Sequence, residues 1–361
     1  MNIHVPGHLK VFKGRTVLIT GHTGFKGSWL SKWLSILGAK VVGYSLSPPT
    51  VPSLFKTIGL KDNIVHIIGD IRDPKHLNQV FKRYKPQFIF HLAAQPLVRR
   101  SYFDPALTFE INVMGTVNIL DTVRQSKSVK VCVIITSDKC YENREWIHAY
   151  RETDPMGGHD PYSASKGAAE LTISSYMRSF FAEKGLTAVS STRAGNIFGG
   201  GDWAQDRLVP DCIRALMKNK PIMVRSPKAV RPWQFVLDPL NGYLLLASKM
   251  IEDPARFSGA WNFGPSYESN VTVQDIVRLV IKDWGSGTFK QVKKAVRAPH
   301  EANFLKLDCA KANHLLGWHP HIDLKGGLLM TIDWYHEYAR RKISMEEVTT
   351  SQIISYMAAL E

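Results

Sequence analysis

Three short stretches of the chain carry residue types that can do chemistry together. In Tyr162-Ser-Ala-Ser-Lys166 a phenol and an ammonium stand four residues apart, which puts them one turn apart on a helix face. An unperturbed phenol titrates at about 10 and is a poor base at neutral pH. A lysine, a helix N-terminus and a bound cation all favour phenolate, and lowering the pKa by about three units takes about 4 kcal/mol of differential interaction. Alone, the pattern reads equally well as an exposed helix face. In Gly21-His-Thr23-Gly24-Phe25-Lys26-Gly27, three glycines follow an apolar run and precede a helical one. Glycines at that spacing allow a tight turn and bring backbone N–H groups to a pyrophosphate at a helix N-terminus, whereas a merely structural turn leaves them unexplained. The third stretch, Thr136-Ser137-Asp138-Lys139-Cys140-Tyr141, sets a hydroxyl, a carboxylate and an ammonium at the end of a strand-like run. Asp138 and Lys139 could form a surface ion pair, but ligands bind at the carboxyl ends of parallel strands. Thr136 reads as a core-facing hydroxyl.

Those stretches need a frame. Continuous β-branched runs at 16–20, 40–44, 64–68, 88–92, 131–136 and 188–192 alternate with helical patterns, as in a parallel sheet covered on both faces. Asp73-Pro74, Asp104-Pro105 and Asp160-Pro161 each offer an N-cap carboxylate before a proline at the first helical position, and Gly38 stands where the first helix should stop. The alternation predicts an α/β, Rossmann-type doubly wound parallel sheet. After about residue 195 the pattern loosens around Gly199-Gly200-Gly201 and a series of prolines. We expect a nucleotide-binding domain over 1–195 with 237–264 returning to it, and a smaller, discontinuous C-terminal substrate lobe over 196–236 and 265–361. Tyr44-Ser45-Leu46-Ser47 ends the second strand without the usual acid for an adenosine ribose or an arginine for a 2′-phosphate, so spacing leaves NAD and NADP open.

The chain has 361 residues, 44% hydrophobic and 21% charged, with 46 Lys+Arg against 31 Asp+Glu and a formal charge of +15. A basic balance suits a solvated surface or a polyanionic ligand; the dispersed cations disfavour nucleic acid, and a pyrophosphate-bearing ligand uses the same field. Four cysteines, none in a CxxC pair, argue against a disulfide scaffold or a metal site and suit reducing cytoplasm. No apolar run is long enough for a signal core or a membrane span. Trp29, Trp33, Trp203 and Trp233 read as packing residues.

Together these motifs resemble the extended short-chain dehydrogenase/reductase family, most closely its nucleotide-sugar dehydratase and epimerase group, over nearly the whole chain. The resemblance implies NAD as cofactor, held by Gly21, Thr23, Gly24, Phe25, Lys26 and Gly27, by Asp70-Ile71 after the third strand, by Leu92-Ala93-Ala94-Gln95 after the fourth, and by Asn112, Tyr162 and Lys166. It implies a substrate such as CDP-glucose or another nucleotide-sugar, met by Gln95, by Asn196 in Arg193-Ala-Gly-Asn196, by Arg207-Leu208, by Arg231 in Arg231-Pro-Trp233, and by His300. It implies catalysis by Ser137, Asp138, Lys139, Tyr162 and Lys166. The 4,6-dehydratases carry a hydroxyl residue, Asp and Glu at the 137–139 positions; here Lys139 replaces the glutamate.

The expected reaction has Tyr162 taking the C4 hydroxyl proton as hydride leaves C4, Asp138 protonating the departing C6 hydroxyl, and hydride returning to C6. Lys139 is expected to take the C5 proton, with the alternative that it is only an electrostatic partner of Asp138. Consecutive strand residues face opposite sides, so both reach the sugar only if the strand ends near Ser137. A 4-epimerase of the same fold, and a non-catalytic NAD(P)-binding regulator or RNA-binding protein, are the competing readings. Apolar residues at 111–123 and at Met177, Phe180 and Phe181 exceed what one sheet face needs, predicting a homodimer or homotetramer through the helices that begin at Pro105 and Pro161.

Overall fold

A strand that reads as an unbroken β-branched run must be buried on both faces, and the central strands here are. The computed structural model describes residues 4–182, 187–292 and 304–360. Seven strands, β1 (Thr16–Thr20), β2 (Lys40–Ser45), β3 (Val65–Ile68), β4 (Phe88–His91), β5 (Val131–Ile135), β6 (Ala188–Arg193) and β7 (Gly259–Asn262), form one sheet in the order β7-β6-β5-β4-β1-β2-β3. Every pairing in it is parallel. The order reverses between β1 and β4, where Thr20 lies beside His91, and the crevice outside the carboxyl ends at such a switch point is where open α/β sheets hold ligands. At the β3 edge the apolar run is not enclosed: Val65 and Ile68 are exposed, because only one strand flanks them.

Helices start where the capping residues stand. Asp73 accepts from the amides of Lys75 and His76, Asp104 from Leu107, and Asp160 from Ser163, each ahead of a proline. The helix α1 (Phe25–Ile36) ends before Gly38, whose φ of 77° turns the chain into β2. The helical run from Pro105 is less regular than its sequence suggests: a π-type turn over Glu110–Met114 separates Pro105–Phe109 from Gly115–Gln125. Such turns widen a helix locally and re-aim side chains, here Asn112.

After β6 the chain leaves the sheet. Three two-stranded pieces, Ile197–Phe198 with Gln234–Phe235, Val230–Pro232 with Asn270–Thr272, and Ile222–Val224 with Phe289–Gln291, lie outside it. Between them α3 (Leu237–Glu252) follows α2 (Pro161–Tyr176) in chain order and returns to the sheet, and β7 completes it beside β6. The helices α4 (Leu324–Arg340) and α5 (Met345–Ala358) then fold back over α1. Trp33 meets Tyr356 edge to face at 5.5 Å, Lys32 pairs with Glu346 at 2.6 Å, and the Tyr356 hydroxyl donates to buried Asp238 at 2.8 Å. The largest apolar cluster joins residues from Leu9 to Met357 and takes in all four tryptophans read as packing residues. No helix among the described residues is long and apolar enough to cross a membrane.

Candidate active site

The glycine stretch forms a cradle with no room for side chains. Gly21 has a φ of 76°, and a Cβ there would lie 2.7 Å from the Ala93 nitrogen; one on Gly27 would lie 2.2 Å from the Gly21 carbonyl. Glycine is required at both by close backbone approach. Gly24 caps α1, whose first amides open onto the crevice, as a pyrophosphate requires. Thr23 spans to the end of β2, its hydroxyl 2.8 Å from Ser45 Oγ and donating to the Leu46 carbonyl at 2.9 Å. That contact occupies the place where the sequence lacks an acid. Phe25 starts α1 and packs towards Gly199. Lys26 lies 5.9 Å from the Tyr243 ring; burial lowers it to about 7, helped by Arg207 and Lys166 and opposed by Asp138. The Asp70 carboxylate is bound by Arg72 at 2.6 Å, which holds it below the usual range, and Ile71 is buried beneath Gly115.

Beyond β4, Leu92 and Ala93 hang from Thr20 through its carbonyl and hydroxyl, at 3.1 and 3.2 Å, and Ala94 follows. Asn112 braces this loop: its side chain accepts from the Gln95 amide and donates to the Gln95 carbonyl and to Ser165 on α2. Gln95 itself departs from expectation. Its side-chain carbonyl accepts from Leu97, and its amide donates to Leu97 and Thr108, so both amide hydrogens are already engaged in shaping the loop.

β5 ends at Ile135, and residues 138–140 form a short 3-10 turn. The alternation of strand side chains stops before Asp138, so consecutive residues converge instead of diverging. Ser137 donates to Asp138 at 3.0 Å and accepts from the Lys139 amide, while Lys139 Nζ lies 3.4 Å from the same Asp138 oxygen. The other Asp138 oxygen is buried without a partner, against Gly195. Thr136 faces inward, as a core hydroxyl, onto Glu170.

Tyr162 and Lys166, both buried, stand in the first turns of α2 below this turn. Ser137 hydrogen-bonds the phenol and favours phenolate, as does the charge of Arg207. Burial nevertheless outweighs them and pushes Tyr162 up to about 12, with Asp138 and Asp160 adding to the rise. The protein's own groups therefore do not outweigh burial, which leaves the expected nicotinamide cation a share of the work. Burial lowers Lys166 to about 8, against the charge of Glu170.

Across the crevice, Asn196 adopts a φ of 43° and its side-chain nitrogen is buried without a partner. Arg207 caps the helix that begins at Leu208 and pairs with Asp202 at 3.1 Å. Arg231 lies on a strand leading to Gln234, whose amide donates to the Asn196 carbonyl. His300 lies outside the described residues. The cysteines are free thiols, and no cluster of metal-ligating side chains occurs among the described residues. Sequence reading missed Glu170, which stands four residues beyond Lys166 and joins α2 to β5 and β6; its only local signal was a carboxylate on a helix face of small and apolar residues.

This arrangement recurs in known proteins. The chain is 48% identical over 352 residues, 96% of its length and 98% of the relative's, to CDP-glucose 4,6-dehydratase of Salmonella typhimurium. It is 26% identical over 343 residues, 88% of this chain and 98% of the relative, to CDP-paratose 2-epimerase of Salmonella typhi. A dTDP-glucose 4,6-dehydratase from Streptomyces venezuelae solved with NAD superposes with a TM-score of 0.77 at 22% identity, covering 91% of this chain and 99% of that one. A UDP-glucose 4-epimerase from Thermotoga maritima superposes equally well, at 0.77 and 22%, over 90% and 99% of the two chains. The model of the family described as GDP-mannose 4,6 dehydratase matches residues 18–331, from within β1 to the middle of α4. With the sheet order, the cradle and the Tyr162–Lys166 pair all in place, the chain belongs to the GDP-mannose 4,6-dehydratase family.

Proposed function

We propose that the protein converts CDP-glucose to CDP-4-keto-6-deoxyglucose and water. The observation that carries this reading is the turn after β5, where Ser137, Asp138 and Lys139 converge on one carboxylate beside Tyr162. An epimerase has no use for an acid and a base poised there to remove water. CDP as the nucleotide is supported by the 48% identical relative.

A cradle that any Cβ would fill, at the N-terminus of α1, fits a dinucleotide, and NAD is the cofactor we assign to it. Gly21, Gly24 and Gly27 would hold its pyrophosphate, and Asp70, Ile71 and residues 92–94 would flank its adenosine and nicotinamide portions. Bound there, NAD supplies a hydride acceptor for C4 and a donor for C6. Tyr162 takes the C4 hydroxyl proton, and the ketone formed at C4 acidifies C5–H. Asp138 gives its proton to the C6 hydroxyl, which leaves as water, and Lys139 takes the proton from C5. As hydride reaches C6, Lys139 returns that proton to C5, and the proton that Tyr162 took from the C4 hydroxyl restores the Asp138 carboxyl, so each group is reset. Asn196, Arg207 and Arg231 would bind the nucleotide diphosphate. Because burial holds Tyr162 near 12, the bound nicotinamide cation and the Lys166 ammonium must supply the remaining stabilisation of phenolate.

We further propose a cytoplasmic homodimer joined through the helices that begin at Pro105 and Pro161. The four free thiols support the first, and exposed Met114, Leu171 and Phe180 on those helices support the second. The test of the reaction is direct: incubate the enzyme and NAD with CDP-, dTDP-, GDP- and UDP-glucose. A product lighter by one water from CDP-glucose supports the reading; an isomer of unchanged mass overturns it in favour of epimerisation.

A further inference from the structure

One buried charge on α2 takes no part in the chemistry above. Glu170 stands one helical turn beyond Lys166, on the same face, and is 4% exposed. Both its oxygens are engaged: one accepts from the Thr136 hydroxyl, the other from Ser191 Oγ at 2.8 Å and Arg193 Nη2 at 2.6 Å. Arg193 also donates to the Tyr141 hydroxyl at 2.7 Å and lies 4.9 Å from that ring's centroid. The Tyr141 hydroxyl donates in turn to Asn262 on β7. The turn that carries Ser137, Asp138 and Lys139 is thus held at both ends, by Thr136 before it and Tyr141 after it, from one carboxylate–guanidinium pair.

A buried ion pair is a costly way to fill space, since apolar residues of similar volume stabilise a core as well or better. What an apolar pair cannot do is face Lys166 with negative charge. The groups that bear on Lys166 come from four elements. Tyr162 and Glu170 share its helix, Cys140 faces it from the β5 turn, His91 from the end of β4, and Lys26 from α1. His91 is held neutral by burial, Lys26 repels, and the Cys140 thiol is pushed well up by burial and stays uncharged. Glu170 is the carboxylate left to oppose desolvation of the ammonium.

We propose that Glu170 is a positioning residue of this reaction: it keeps Lys166 in its charged form and fixes the Ser137–Lys139 turn over Tyr162. The proposal rests on the dehydratase reading above. Lys166 supports phenolate only as ammonium, and that support is lost as pH rises through its pKa, near 8. Removing the Glu170 charge lowers the pKa further, so the alkaline limb of the activity profile moves to lower pH.

The test compares Glu170→Gln, Glu170→Asp and the double variant Glu170→Gln/Arg193→Met, which leaves no unpaired guanidinium. Rates of NAD reduction on CDP-glucose are measured against pH in single turnovers. The alkaline limb of the double variant is expected about one unit lower than in the wild type, with about a fivefold loss at the pH of the wild-type midpoint. A wild-type limb in the double variant overturns the proposal and leaves Glu170 as a structural partner of Arg193. Glu170→Asp keeps the charge, so its limb should stay in place while kcat falls; a limb displaced by a full unit there also overturns it, even if the Gln variants fail to fold. The Lys166 pKa is read independently by competitive acetylation with acetic anhydride and mass spectrometry, without substrate. A wild type that makes no product from CDP-glucose would defeat the reaction assignment, while the labelling still decides the role of Glu170.

Discussion

Gly195 offers the sharpest probe of the acid. A Cβ built on it would lie 1.9 Å from Asp138 Oδ2 and 2.2 Å from Cγ. Ordinary contact needs about 3.4 Å, so Gly195→Ala forces the carboxylate to retreat by roughly 1.5 Å. Asp138 has no exposed surface to retreat into, and its other oxygen is tied to Ser137 and Lys139. The move therefore breaks those contacts as well. A 1 Å displacement of a reacting group costs about 100-fold, or about 2.7 kcal/mol on the barrier, while overpacking costs about 1–3 kcal/mol of stability. Tyr162 and Lys166 lie on another element, so the first hydride transfer should survive. With CDP-glucose, the variant should show a burst of reduced nicotinamide by near-ultraviolet absorbance that persists, and release of dehydrated sugar should slow by about 100-fold or more. Wild-type release by a folded Gly195→Ala protein would refute the placement of Asp138 as the acid.

Lys139→Met separates base from bystander: it should still reduce NAD on substrate yet place no solvent deuterium at C5, and normal incorporation would remove Lys139 from proton transfer. Leu171→Asp, at a residue 62% exposed on α2, should convert a dimer to a monomer in light scattering; a wild type that is already monomeric at micromolar concentration refutes the helix-paired interface. Burial raises Asp238 to about 6, against about 3.9 in an unfolded chain, so the folded state binds the extra proton and stability falls as pH rises from about 4 to 6. Asp238→Asn, which keeps an acceptor for Tyr356, should therefore raise the unfolding free energy at pH 8 by about 3 kcal/mol and leave it nearly unchanged at pH 4. An equal effect at both values would show that the gain is not electrostatic.

What was legible in the sequence is what short range decides. Asp73, Asp104 and Asp160 cap their helices because carboxylate and proline sit within one turn of the amides they satisfy. The strands were legible because burial on both faces leaves a continuous apolar run. The features that escaped depend on which strands become neighbours. Glu170 acquires its role only when β5 and β6 bring Thr136, Ser191 and Arg193 together from positions up to 57 residues apart along the chain. The state of Tyr162 likewise depends on how deeply α2 is covered, and local spacing counts the cations without the desolvation. Gln95 was assigned by the resemblance of the His91–Gln95 loop; only the turn to Leu97 and the approach of Thr108 show its amide already engaged.

The closure of α5 over α1 also bears on how the protein is made. Lys32 and Glu346 are 314 residues apart, and the Trp33 indole, which forms with the first helix synthesised, finds Tyr356 only when α5 emerges. β7 likewise joins the sheet more than sixty residues after β6 is complete. A nascent chain therefore carries the cradle helix with its tryptophans unburied for most of translation, at rates of about 5–20 residues per second. That late cover leaves the apolar face under α5 open until the helix is made. It also makes loss of α5 costly in yield out of proportion to its distance from the chemistry.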